Sequence, residues 1–313
     1  MKYSFKQITI LLLLFLLACE RTKTSDCASI EEGRGHIVSV LPFGKIGADF
    51  LSDFLKDNNI DIGVVPVTDV KVYSIVYETV DWNGEPRLAS GAIYVPDEDH
   101  AGKNYPIYSG QHGTEAKRTN VASVTPLRGF DAMFVASVGY IGSSPDLLGL
   151  GVSTDVVHPY IHAFSAEAVV DKIRATKNWL CANDINENGQ LFFAGYSEGG
   201  YVAMATHKLI EEKHADEFTI TASAPMAGPY DMRYSSTSLL SRKSYAQPGY
   251  LSFIYMAYNE IEDMNRPASE FFQNPYAEKI ASLMDGSKTI GEANKELTTT
   301  IKNLIMVLII LYF

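Results

Sequence analysis

The sequence predicts an α/β fold with a mostly parallel sheet, helices on both faces, and an antiparallel hairpin at its N-terminal side. Three observations carry this. Strand-length apolar runs alternate with helix-length periodic segments from residue 105 to residue 226. Two alternating runs joined by a short polar turn precede them. Finally, 313 residues that are 46% hydrophobic and 20% charged have the composition of one globular domain able to bury a large core. The net charge of −11 opposes any role on nucleic acid, so the expected partners are small molecules rather than polyanions.

Taken in order, Lys2 and Lys6 precede an uncharged apolar stretch at 8–18 that is too short to span a bilayer. Residues 1–18 therefore read as an export signal. The junction Leu16-Leu17-Ala18-Cys19 resembles the bacterial lipobox. That resemblance implies a lipid on Cys19 and a membrane contact in the cell envelope through that anchor; ordinary cleavage near Ala18 is the alternative. Residues 19–29 are polar and read as a tether, and the core is expected over 30–231.

Within the core, residues 70–79 and 89–95 flank Asp81-Trp82-Asn83-Gly84-Glu85-Pro86 and form the hairpin. Residues 105–109 are a short buried strand ending in Gly110-Gln111-His112-Gly113-Thr114, and 132–139 read as the next strand. A loop over 141–160 leads into a helix at 163–180. The strand at 191–194 runs through Gly195-Tyr196-Ser197-Glu198-Gly199 into a helix at 201–213, whose Ala203, Met204, His207 and Ile210 recur at helical spacing. Residues 218–226 form a further strand, terminated by Ala227-Gly228-Pro229-Tyr230-Asp231.

The Gly-x-Ser-x-Gly run carries the chemistry. A serine in a sharp strand-to-helix turn is held in strained dihedrals, and flanking glycines remove the Cβ atoms that would collide with strand and helix. Its hydroxyl is then presented at the C-terminal edge of the sheet as a nucleophile. The bland alternative is a glycine-rich turn. The backbone N–H of Glu198 and that of Gly113 or Thr114 are the candidate oxyanion donors.

Together with Gln111-His112-Gly113-Thr114, Pro145-Asp146-Leu147-Leu148-Gly149-Leu150-Gly151, His158-Pro159-Tyr160 and Ala227-Gly228-Pro229-Tyr230-Asp231, this motif makes the chain similar to the α/β-hydrolase superfamily, and within it to the secretory lipase-like group. The likeness spans roughly residues 64–231. It implies cleavage of carboxylic esters or lipids through an acyl-enzyme on Ser197 without a cofactor, and a lid or cap over 232–300. It also implies a triad acid and histidine later in the chain. Only His207 and His214 follow Ser197, within or at the end of its own helix, so the triad histidine is not found. The last core strands are likewise expected to be missing, the chain reading as C-terminally truncated. Asp231 is a weak acid candidate. His112, expected to support its loop, His158 and His162 are pocket candidates; either of the last two as base would break the order serine, acid, histidine. The alternative is a non-catalytic envelope lipoprotein that keeps the acyl pocket for binding.

Residues 301–313 end in an apolar run from Leu304 to Phe313, read as a buried element, a partner or membrane contact, or frameshift read-through, the last being preferred. With Cys19 assigned to lipid, Cys27 and Cys181 permit a disulfide without demanding one, and Cys181 is otherwise expected as a small buried residue at a helix end. Two motifs fail. Asp184-Ile185-Asn186-Glu187-Asn188-Gly189 starts like an EF-hand loop but has Gly195 where a bidentate glutamate is needed. Gly149-Leu150-Gly151 has Thr154 in place of the third glycine of a dinucleotide fingerprint. No metal is expected.

Overall fold

The computed structural model describes residues 32–60 and 66–306. Residues 1–31, 61–65 and 307–313 lie outside this set, and with them the export signal, Cys19, Cys27, the tether and most of the apolar tail. Seven strands form one sheet in the order β1-β2-β3-β5-β4-β6-β7. They are β1 Ile37–Ile46, β2 Val70–Val80, β3 Pro86–Pro96, β4 Asn104–Gln111, β5 Ile141–Pro145, β6 Asn186–Tyr196 and β7 Ala222–Met226. The β2–β3 hairpin pairs Val70 with Pro96 through Val80 with Pro86, and β1 extends this antiparallel part outward. From β5 onward the neighbours β5–β4, β4–β6 and β6–β7 are parallel. This is the α/β-hydrolase fold.

Alternation along the strands sends side chains to two cores. Ile75, Tyr77, Ile93 and Val95 meet Val169, Ile173, Val202 and Ile210 of helices α3 (Ser165–Ala182) and α4 (Glu198–Lys213). On the other face Val70, Val72, Ala92 and Tyr94 meet Leu51 of α1 (Ala48–Asp57) and Met133 of α2 (Phe130–Ser137).

The segment expected as the fourth strand is α2, and the strand is β5, in what was expected to be loop. The run Ala132-Met133-Phe134-Val135-Ala136 is apolar on every side, so neither period stands out. The helix wins because Ala132, Met133, Ala136 and Ser137 close one face onto the sheet. Strand β5 lacks the usual apolar signature because its Gly142, Ser143 and Ser144 face close neighbours. A Cβ at Gly142 would run into the Ala132 carbonyl oxygen, and the Ser143 hydroxyl bonds Thr176 Oγ1 at 3.0 Å.

After β7 the described chain holds only helices and two isolated bridges: α5 (Met232–Leu240), α6 (Gly249–Ile261), α7 (Ile280–Leu283), α8 (Ile290–Lys295) and α9 (Ile301–Leu304), with short 3-10 turns. They share a separate core containing Tyr255, Phe272, Ile280 and Leu304. The first residues of the apolar tail belong to it: Leu304 and Ile305 are buried, and Ile305 bridges Phe272. Cys181, half-buried at the end of α3, is disulfide-bonded, the outcome the sequence permits without demanding, rather than only a small buried residue.

Candidate active site

Strand β6 delivers Ser197 at its C-terminal end, and α4 begins at the next residue. Ser197 has φ 59° and ψ −119°, a left-handed backbone that costs a non-glycine residue about 1–3 kcal/mol and persists only where its surroundings enforce it. Those surroundings are visible. The Ser197 N–H donates to the Met226 carbonyl at the end of β7 at 2.9 Å. A Cβ on Gly195 would collide with the Gly199 carbonyl, one on Gly199 with the Gln111 carbonyl, and one on Gly200 with the Met226 carbonyl. Sequence reasoning named two of these glycines; the third, Gly200, is held by the same crowding.

Facing the turn is the loop after β4. The His112 ring nitrogens lie 2.7 Å from the Gly113 carbonyl and 3.0 Å from the Asp146 carbonyl, so the histidine ties this loop to the one after β5. Asp146 is itself buried and accepts from Ser90 Oγ at 2.6 Å and the Ser123 N–H at 3.1 Å. Burial raises its carboxyl, and these bonds offset part of the rise. The N–H groups of Gly113, Thr114 and Glu198 make no hydrogen bond among the described residues, which leaves them available to an anion.

Ser197 opens into a cavity of about 310 Å³. Ile161, Ala227 and Gly228 line it together with Met232, Leu239 and Ile254 of α5 and α6. Among the described lining residues none is charged. Tyr250, Ile254 and Tyr258 recur every four residues along α6, a helical stripe that sequence reasoning did not take up.

None of His112, His158 and His162 lines the Ser197 cavity. His158 is buried with Nδ1 2.9 Å from the Leu148 carbonyl and Nε2 2.6 Å from Glu198 Oε1. Burial pulls its imidazole down, but the Glu198 carboxylate and the Leu148 carbonyl outweigh that and leave it raised. His162 faces Glu262 at 3.0 Å, and His207 is held between Ser223 Oγ and Glu211. His214 lies 3.3 Å from Arg174. Ser197 Oγ has no hydrogen-bond partner among the described residues. Asp231 is exposed and caps α5, accepting from the Tyr234 N–H at 2.8 Å; a capping carboxylate so placed does not line the cavity. The buried Glu198–His158 pair escaped sequence reasoning because the residues stand forty positions apart with no shared motif.

No family model matches the chain, and no curated protein matches it. Solved structures do. The esterase LipA from Xanthomonas oryzae, described as rice cell wall degrading, superposes with a TM-score of 0.76 at 27% identity, over 88% of this chain and 74% of that one. A Legionella pneumophila protein provisionally assigned as a hydrolase gives 0.77 at 25% identity, over 86% and 73%. Candida antarctica lipase A gives 0.60 at 15% identity, over 90% and 62%, a likeness of fold alone. Among the described residues no helix is long and apolar enough to cross a membrane, and no cluster of His, Cys, Asp and Glu is arranged to hold a metal.

Proposed function

We propose that the chain cleaves carboxylic esters through an acyl-enzyme on Ser197. The observation that carries this is the strained Ser197 turn opening directly into an uncharged cavity. Ser197 Oγ attacks the ester carbonyl as its proton passes to water or to the departing alcohol oxygen, and the Glu198 N–H with that of Gly113 or Thr114 receives the oxyanion. The ester C–O bond breaks to release the alcohol, water then hydrolyses the acyl-serine to the acid, and the apolar part of the ester lies against Met232, Leu239 and Ile254. Residues 232–300 act as the cap. That LipA is an esterase agrees with this reading.

His100, His112, His158, His162, His207 and His214 are each held by other groups, so we infer that the chain acylates without a histidine base. Oxyanion stabilisation and binding then supply on the order of a thousandfold over water. This is also the observation that favours the second reading, an envelope lipoprotein that binds esters or lipids in the cavity without cleaving them. The experiment is p-nitrophenyl butyrate turnover by the full chain beside Ser197→Ala. Slow release that the substitution lowers further supports the hydrolase; equal rates for the two, with the ester still bound, leave the binding protein.

We further propose an envelope location through lipid on Cys19, with Cys27 then pairing Cys181 in an oxidising compartment. Cys19→Ser is expected to move the protein from the membrane to the soluble fraction; unchanged fractionation removes the anchor.

A further inference from the structure

Glu198 follows the nucleophile and is wholly buried. Its Oε1 bonds His158 Nε2 at 2.6 Å, and its Oε2 has no partner among the described residues. The other ring nitrogen of His158 faces the Leu148 carbonyl at 2.9 Å. A carbonyl only accepts, and so does Glu198 when it is a carboxylate; in that state both ring nitrogens donate and the ring is an imidazolium. The rings of Tyr160 and Phe253 lie 6.2 and 6.1 Å from it, so the pair is walled by aromatic surface. Glu198 makes no other ion pair among the described residues.

The pair poses a question that its geometry answers. An anion hole that uses the Glu198 backbone N–H must receive negative charge within one residue of a buried carboxylate, and like charges in a site with little water repel strongly. We propose that His158 is a positioning residue that cancels the Glu198 charge and ties it to the Leu148 carbonyl, so that the Glu198 N–H can receive an oxyanion. This rests on the ester-cleaving reading of Ser197. His158 does this without touching the ester, since both of its nitrogens are taken and it stands outside the Ser197 cavity. The carboxylate in turn lies in the first turn of α4, where the helix dipole favours it.

The test is a double-substitution cycle on the full chain, read as the rate constant and KM for Ser197 acylation by p-nitrophenyl butyrate, with the acyl adduct weighed by mass spectrometry. His158→Gln keeps a donor near Glu198 but removes the positive charge, and is expected to lower the rate constant about 30-fold at unchanged KM. Glu198→Gln leaves no negative charge and is expected to lower it about threefold. Adding Glu198→Gln to His158→Gln is expected to recover about tenfold, which a merely structural pair would not do. A double variant no faster than His158→Gln, or a His158→Gln effect confined to KM, overturns the proposal. Should His158→Gln fail to fold, nitrogen-15 spectra of the imidazole decide: two N–H signals for His158 at pH 7.5, reduced to one by Glu198→Gln, support the charge pair, and a single N–H in the unsubstituted protein overturns it. A chain with no Ser197 adduct at all sinks the ester-cleaving reading instead, and the ring-nitrogen spectrum then decides the pair alone.

Discussion

Around Ser197 itself positions are set by backbone against backbone, whereas much of the remaining cavity lining is side chains from helices. The turn rests on Gln111, Gly199 and Met226 carbonyls that leave no room for a Cβ. The helical lining offers Met232, Leu239 and Ile254, any of which a neighbouring rotamer or a different apolar residue replaces at modest cost. The first region therefore defines a reaction geometry and tolerates nothing; the second sets what fits and tolerates much.

The sharpest way to break this contrast is to put a side chain where the backbone forbids one. Gly199→Val drives a branched Cβ into the Gln111 and His112 carbonyls, which belong to β4 and its loop and cannot rotate away. We expect a loss of more than about 4 kcal/mol or no folded protein, read by urea denaturation. A loss under about 1 kcal/mol would show that the turn yields and that the rigid half of the comparison is misdrawn.

The sheet side also carries a cost that its geometry does not need. Lys172 of α3 is wholly buried over Gly91, its ammonium donating to Ser143 Oγ at 3.0 Å and Thr176 Oγ1 at 3.1 Å. Burial lowers its pKa to about 7, a shift that the charge of Asp146 only partly opposes. The folded state thus holds fewer protons than the unfolded one between about pH 7 and the ordinary lysine value near 10.4, so stability rises with pH across that window. Lys172→Met removes the buried charge and leaves Ser143 and Thr176 bonded to each other. It is expected to stabilise the protein by on the order of 2–4 kcal/mol below pH 7, with the gain shrinking toward pH 10. Urea midpoints at pH 6 and pH 9.5 check the sign; an equal gain at both removes the titration account.

The contrast also explains what could be read from the sequence. Backbone constraints leave a signature in residue type: Gly195, Gly199 and the strand before them identify the turn, and Gln111 to Thr114 identify the facing loop. Packing constraints leave only apolarity, which α2 and a strand share, so Ala132 to Ala136 could not be told apart by period, and β5 was hidden by its Gly142, Ser143 and Ser144. The site divides the same way. Ser197 was legible because one local motif contains its whole geometry. The Glu198–His158 bond and the α6 stripe were not, because each depends on which distant elements the fold brings together.

The smallest expected effect falls on the helical wall. Ile254 borders a space that is already empty, so Ile254→Ala removes methyl groups that have neighbours on one side only. Its cost in stability is expected near 1 kcal/mol, below the 2–5 kcal/mol of a filled core site. The void gained is continuous with the cavity, so the preference among p-nitrophenyl esters should move toward a longer acyl chain by about one or two methylenes, each worth roughly 0.8 kcal/mol when buried. Full-chain turnover or binding across acetate to decanoate measures this. A core-sized stability loss with no change in chain-length preference would mean that Ile254 supports the fold rather than bounding the ligand, and the side-chain wall would have to be drawn elsewhere.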